Sequence, residues 1–105
     1  MAHFTAVLDR DAEADLSNIR AHLESAVSAA FADAFIDQVF SYFAGYSDFP
    51  YRGTMRDDVR PGVRLVGWRK ILTIAFKISE PTEKVVILGV FYRGRDVIAA
   101  LRGRE

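Results

Sequence analysis

From Val85 to Tyr92 the chain runs eight residues, VVILGVFY, without a charged side chain. A run of this length, rich in β-branched and aromatic residues, reads as a strand in the middle of a sheet. A central strand needs partners on both sides, and two upstream segments have the right period. Val63, Leu65 and Gly67 alternate with Arg64, Val66 and Trp68; Leu72, Ile74, Phe76 and Ile78 alternate with Ile71, Thr73, Ala75 and Lys77. The links at 67–70 and 79–84 are short enough only for tight turns, so the last three strands form an antiparallel meander.

The cover for this sheet lies in the first half of the chain. His3 to Leu8 reads as a short strand, and Asp9-Arg10-Asp11 opens a helix whose first turn is acidic, as the helix dipole favours. Leu16, Ile19, Leu23 and Ala26 fall on one face of it. A second helix is predicted from Ser28 to Ala44, with Phe31, Ala34, Phe35, Val39, Tyr42 and Phe43 on a face that Ile36 and Phe40 widen; Gly45 ends it. Tyr46 to Pro61, with Pro50, Gly53 and Pro61 among charges, reads as a loop. Asp96 to Arg102 carries Val97, Ile98 and Leu101 at the spacing of a short final helix. The expectation is a single α+β domain over residues 1–105. It has an N-terminal strand and a helical hairpin on a three- to four-stranded, mainly antiparallel sheet, in the order β-α-α-β-β-β, with a short C-terminal helix.

A chain of 105 residues that is half hydrophobic can bury a core without staples, and it has no cysteine to form a disulfide or a thiolate metal site. The two histidines, His3 and His22, lie far from the basic end in sequence and read as surface or structural residues, and no carboxylate cluster has ligand spacing, so no metal is expected. A nucleotide enzyme would need a phosphate-cradling glycine loop or a P-loop lysine, and neither is present; no cofactor is expected. Gly89 and Gly94 read instead as a packing and a turn residue. No apolar stretch approaches the roughly 18 residues that cross a bilayer, and no signal peptide is visible, so a cytoplasmic protein without a membrane partner is expected.

The formal charge is zero, but it divides unevenly. Residues 1–49 hold two arginines against eight carboxylates, a net of −6, and residues 50–105 hold twelve Lys and Arg against six carboxylates, a net of +6. Such asymmetry points to an anionic partner at the C-terminal half, or to acidic helices lying beside a basic sheet. A plain nucleic-acid-binding module fits less well, because the arginines interleave with aspartates and no reader helix is evident.

Four strings in this order resemble one family. They are Ala14-Asp15-Leu16-Ser17-Asn18-Ile19, Phe49-Pro50-Tyr51-Arg52-Gly53, Asp58-Val59-Arg60-Pro61-Gly62-Val63-Arg64, and Val86 through Asp96. Together they look like the ParE/RelE toxin superfamily of bacterial type II toxin–antitoxin systems, in particular its ParE-like plasmid-stabilisation branch. The resemblance implies a growth-arresting toxin held inactive by a cognate antitoxin in a hetero-oligomer. Exposed residues of the apolar helix face and a sheet edge would suit that partner. It implies DNA gyrase as the target if the chain is of the ParE kind, a non-enzymatic inhibition. If the chain is of the RelE kind, the implied target is the ribosome, with cleavage of messenger RNA. A toxin that has lost its activity but still binds its antitoxin is a further reading.

For the nuclease alternative the resemblance singles out Arg64, Tyr92 and Arg93, since 2′-hydroxyl attack on a phosphate needs cations and a proton-transferring group. The lysine-rich strand of the RNA-cleaving branch has no counterpart here; the equivalent stretch, Pro50 to Asp58, ends in two aspartates. For target binding, the candidates are Arg64, Trp68, Arg93, Arg95, Arg102 and Arg104. Each has a structural reading beside the functional one. Arg64 can pair with Asp57, Asp58 or Asp96; Trp68 can pack in the core or a turn; Tyr92 can be a strand-end aromatic; the arginines after residue 92 can be a solvated tail.

Overall fold

The computed structural model describes residues 3–93 and 95–104, so Gly94 lies outside the described residues. The elements are β1 (Thr5–Leu8), α1 (Arg10–Ala26), α2 (Ala29–Ala44), a 3-10 turn (Gly45–Ser47), β2 (Thr54–Met55), β3 (Arg64–Trp68), β4 (Leu72–Ser79), β5 (Lys84–Tyr92) and α3 (Val97–Arg102). They build one sheet in the order β1-β5-β4-β3-β2, with β1 parallel to β5 and the other pairs antiparallel. The expected α+β order is present, and β5 has a strand on each side. The sheet has five strands rather than three or four, because Thr54 and Met55, inside the expected loop, pair with Leu65 and Arg64. Two residues are too few to show an alternation in sequence.

The helices start where side chains can cap them. Asp9 accepts a hydrogen bond from the Ala12 amide and Ser28 from that of Phe31, both at 3.0 Å. Gly45 does not end α2 in a left-handed turn; its φ is −65° and the chain tightens into the 3-10 turn. Ala12, Leu16, Ile19 and Leu23 of α1 meet Ala32, Phe35, Val39 and Phe43 of α2 above the sheet. The buried stripe of α2 is narrower than the sequence suggests, since Phe31 and Phe40 are each 46% exposed. Ala26 and Val27 at the hairpin tip are also exposed.

One irregularity decides which side chains of β5 face the helices. Ala75 pairs with Gly89 but Phe76 pairs with Ile87, so Leu88 is an extra residue in β5, a β-bulge. Before it the odd residues Val85 and Ile87 enter the main core; after it the even residues Val90 and Tyr92 do. The residues turned to the other face, Phe91 and Ala75, join Val59, Val63 and Leu101 in a second small core beneath α3. Both faces of the sheet are therefore covered.

Beyond Ile87 the outer edge of β5 has no strand partner among the described residues, since β1 ends at Leu8 and Asp9 makes the last bond, to Ile87. Asp15 and Arg104 fill that edge. Asp15 accepts from the Val90 amide at 2.9 Å, and Arg104 donates to the Leu88 carbonyl at 3.3 Å and to both carboxylate oxygens of Asp15 at 2.8 and 2.7 Å. A Cβ at Gly89 would stand 2.7 Å from the Arg104 guanidinium and 2.6 Å from the Phe91 ring, so only glycine admits this clasp.

Candidate target-binding site

The parity shift at Leu88 carries Tyr92 to the helix side of the sheet, where its ring meets that of His22 edge-on at 5.7 Å. Asn18, Ile19 and His22 of α1, with Val90, Tyr92, Arg93 and Arg95, line a cleft of about 260 Å³. On the other side of Tyr92 and Arg93 lies a hollow of about 460 Å³, walled by Leu23, Phe31, Phe35, Gln38, Arg69 and Ile71. His22, set aside from sequence as remote, is thus part of the site. The signal for it was its place between Ile19 and Leu23, at the border of the buried stripe.

The antiparallel meander brings a second pair of cations to the same end. The β3–β4 turn holds Arg69 and Lys70 with φ of 52° and 57°, and the Arg93 amide donates to the Ile71 carbonyl at 2.8 Å, joining that turn to the end of β5. Arg69, Lys70, Arg93 and Arg95 are all exposed, and among the described residues no carboxylate forms an ion pair with them. The Arg69 guanidinium lies 4.4 Å above the Trp68 ring and bonds Gln38. Sequence reasoning passed over Arg69 and Lys70. Topology alone locates them, because in a meander the turn before β4 must neighbour the end of β5.

The remaining candidates lie elsewhere. Arg64 is level with Phe76 and Ile87 across the sheet, whereas Tyr92 is level with Leu72 and Trp68. Four rows of the ladder, roughly 13 Å, and two strand spacings of about 4.8 Å separate them. The trio Arg64, Tyr92 and Arg93 is therefore not one site. Arg64 pairs with none of the expected aspartates; its Nε donates to the Arg52 carbonyl at 2.9 Å and its guanidinium lies 5.9 Å from the Tyr51 ring. Asp58 pairs instead with Arg56, which holds its carboxyl below the usual carboxylate range. Arg52 in turn lies over the rings of Tyr42 and Tyr46, at 4.6 and 4.4 Å.

Trp68 is in the core, 6% exposed and edge-on to Phe35 at 5.4 Å, so its ring is not open to a base or ligand. Arg102 is exposed in the last turn of α3, where the dipole favours a cation. Arg104 is not a solvated tail residue. Its side chain is 18% exposed and that of Asp15 is 9%, and the carboxylate raises the guanidinium pKa further. What gathers at one end of the molecule is Tyr92, Arg93 and Arg95 from the expected set, with Arg69, Lys70 and His22 added.

Comparison with known proteins agrees with this architecture. Residues 6–97 match the family described as ParE toxin of type II toxin-antitoxin system, parDE. No curated protein matches the sequence. Among solved structures, the chromosomal ParDE toxin–antitoxin system from P. aeruginosa superposes with a TM-score of 0.72 at 18% identity, over 88% of this chain and 98% of that one. The toxin–antitoxin complex RelBE2 from Mycobacterium tuberculosis gives a TM-score of 0.57 at 19% identity, over 87% and 99%. At these identities the two structures speak for the fold, and the family match, which covers most of the sequence, speaks for descent. The chain belongs to the ParE toxin family of type II toxin–antitoxin systems.

Proposed function

We propose that this toxin arrests growth by binding DNA gyrase, without cleaving RNA, and that a cognate antitoxin neutralises it. The observation that carries the reading is the match of residues 6–97 to the ParE family. The ribonuclease alternative is weakened by geometry: the arginine it requires, Arg64, lies across the sheet from Tyr92 and Arg93 and is spent on backbone carbonyls. The surface offered to gyrase is the end formed by Arg69, Arg93 and Arg95. The test is a supercoiling assay with purified gyrase and the full chain. Inhibition supports the proposal; unimpaired supercoiling at a large excess of toxin, beside intact growth arrest in cells, contradicts it.

For the antitoxin we propose a seat along β1. Thr5 and Asp9 donate toward β5 while Phe4 donates away from it, so the amides and carbonyls of Ala6 and Leu8 face the open edge. That edge borders an apolar groove of about 620 Å³ lined by Phe4, Phe40, Phe43 and Ala44, with Glu13 at its rim. An extended antitoxin segment with alternating apolar and basic side chains fits it by strand addition. Ala6→Pro removes an outward donor and no internal bond. It is expected to weaken antitoxin capture while the toxin stays folded; unchanged capture would place the antitoxin elsewhere.

A further inference from the structure

The basic end of the molecule gathers four cations that no carboxylate among the described residues pairs with. Four exposed side chains, Arg69, Lys70, Arg93 and Arg95, come from two turns that the Arg93–Ile71 backbone bond ties together. Five other arginines have partners: Arg20, Arg56 and Arg104 pair with carboxylates, and Arg52 and Arg64 meet carbonyls and tyrosine rings. At this end the four lie across the ends of neighbouring strands, so they cover a width of about 10 Å. Beside them are two hollows, one holding His22, Asn18 and Tyr92, the other bordered by the exposed ring of Phe31.

We infer that this end binds the phosphodiester backbone of a nucleic acid, non-covalently and without sequence preference. Three of the four cations are arginines, whose planar guanidinium takes two oxygens of a phosphate or a carboxylate at once. Their placement favours phosphate over an acidic protein surface: the cations follow two linked backbone turns rather than a helix face, so they can track a chain of charges while no reader helix enters a groove. The overall charge of zero does not oppose this, because the acidic residues are concentrated in the first half of the chain. The inference does not depend on gyrase or the ribosome being the target.

The test is fluorescence anisotropy of the full chain with a labelled duplex DNA and a labelled single-stranded RNA of the same sequence, at several salt concentrations. Binding is expected in the micromolar range near physiological salt, tightening as salt falls, with a log–log slope of about −0.9 per neutralised phosphate on duplex. Arg69→Ala with Arg93→Ala is expected to make that slope less negative by about 2. Lys70→Gln with Arg95→Gln is an independent pair should the first disturb folding, and circular dichroism reports the fold of each. Arg56→Ala removes a charge at the opposite end and is expected to leave binding as it is. Equal binding of both nucleic acids assigns the backbone in general; preference for one assigns that source. No binding to either at low salt overturns the inference, as does a slope that neither double variant changes or an equal loss with Arg56→Ala. Because neither gyrase nor ribosomes are in the tube, failure here leaves the gyrase reading to its own test.

Discussion

Arg104 grips Asp15 at two points, 2.7 and 2.8 Å, across 89 residues of sequence and over the edge of β5 that no strand covers. One pair thereby ties α1, β5 and the segment after α3 into a single body. Removing one partner of a buried pair costs roughly 3–5 kcal/mol, and the partial exposure of Arg104 puts this one near the lower figure. Arg104→Ala is expected to lower the free energy of unfolding by about 3 kcal/mol in urea titration. A loss within about 1 kcal/mol, as for a surface pair, would contradict the role assigned to the clasp.

Tyr46 offers a test of the opposite sign. Its hydroxyl is buried without a hydrogen-bond partner among the described residues, while its ring packs on Phe76 at 4.9 Å. Tyr46→Phe keeps the ring and removes the unsatisfied group, so stability is expected to stay level or rise by about 1 kcal/mol.

The same burial pushes the Tyr46 hydroxyl well above the ordinary tyrosine range. A folded-state value above the unfolded one stabilises the fold below the unfolded pKa of about 10, and that contribution is lost as pH rises beyond it. Unfolding titrations at pH 8 and pH 10.5 are expected to show a steeper alkaline loss for the parent than for Tyr46→Phe. Parallel losses would mean the hydroxyl is not the group responsible.

Arg64 is expected to act on the segment it grips. Arg64→Ala deletes its bonds to the carbonyls of Arg52 and Gly53, at 2.9 and 3.4 Å, a loss of about 1–2 kcal/mol. The adjoining turn is close-packed, since Gly53 has φ of 69° and a Cβ there would collide with the Leu65 carbonyl. Amide exchange is expected to quicken in residues 49–56 for both Arg64→Ala and Arg64→Lys, because lysine lacks the guanidinium fork. Unchanged exchange, with toxicity lost, would make Arg64 a direct target contact.

Much of the fold is legible in the sequence because it rests on periodicity and caps. Asp9 and Ser28 start the helices, and β3, β4 and β5 fall within a residue of the runs at 63–68, 72–78 and 85–92. The site is less legible because it rests on features without a period. The extra residue at Leu88 changes which face Tyr92 joins; Gly89 beside it is the one hint of a bulge in VVILGVFY, and it reads equally well as a packing residue. Arg64 and Tyr92 resemble parts of one site in sequence, and the register of three strands sets them apart. Arg104 reads as a tail residue because its partner, Asp15, is far away in the chain, and Trp68 is drawn into the core by Phe35 of the helix above it. His22 is far from Tyr92 in sequence, and the packing of α1 on β5 brings the two rings together.

Whether this ParE-family toxin acts through its basic end on gyrase is read out by inducing the chain in a bacterial host and mapping which nucleic acid breaks. Double-strand DNA breaks and a DNA-damage response with intact messages are expected, both reduced by Arg93→Ala with Arg95→Ala; that outcome supports gyrase as the target. Messages cut within codons on translating ribosomes, with the chromosome intact, would contradict it.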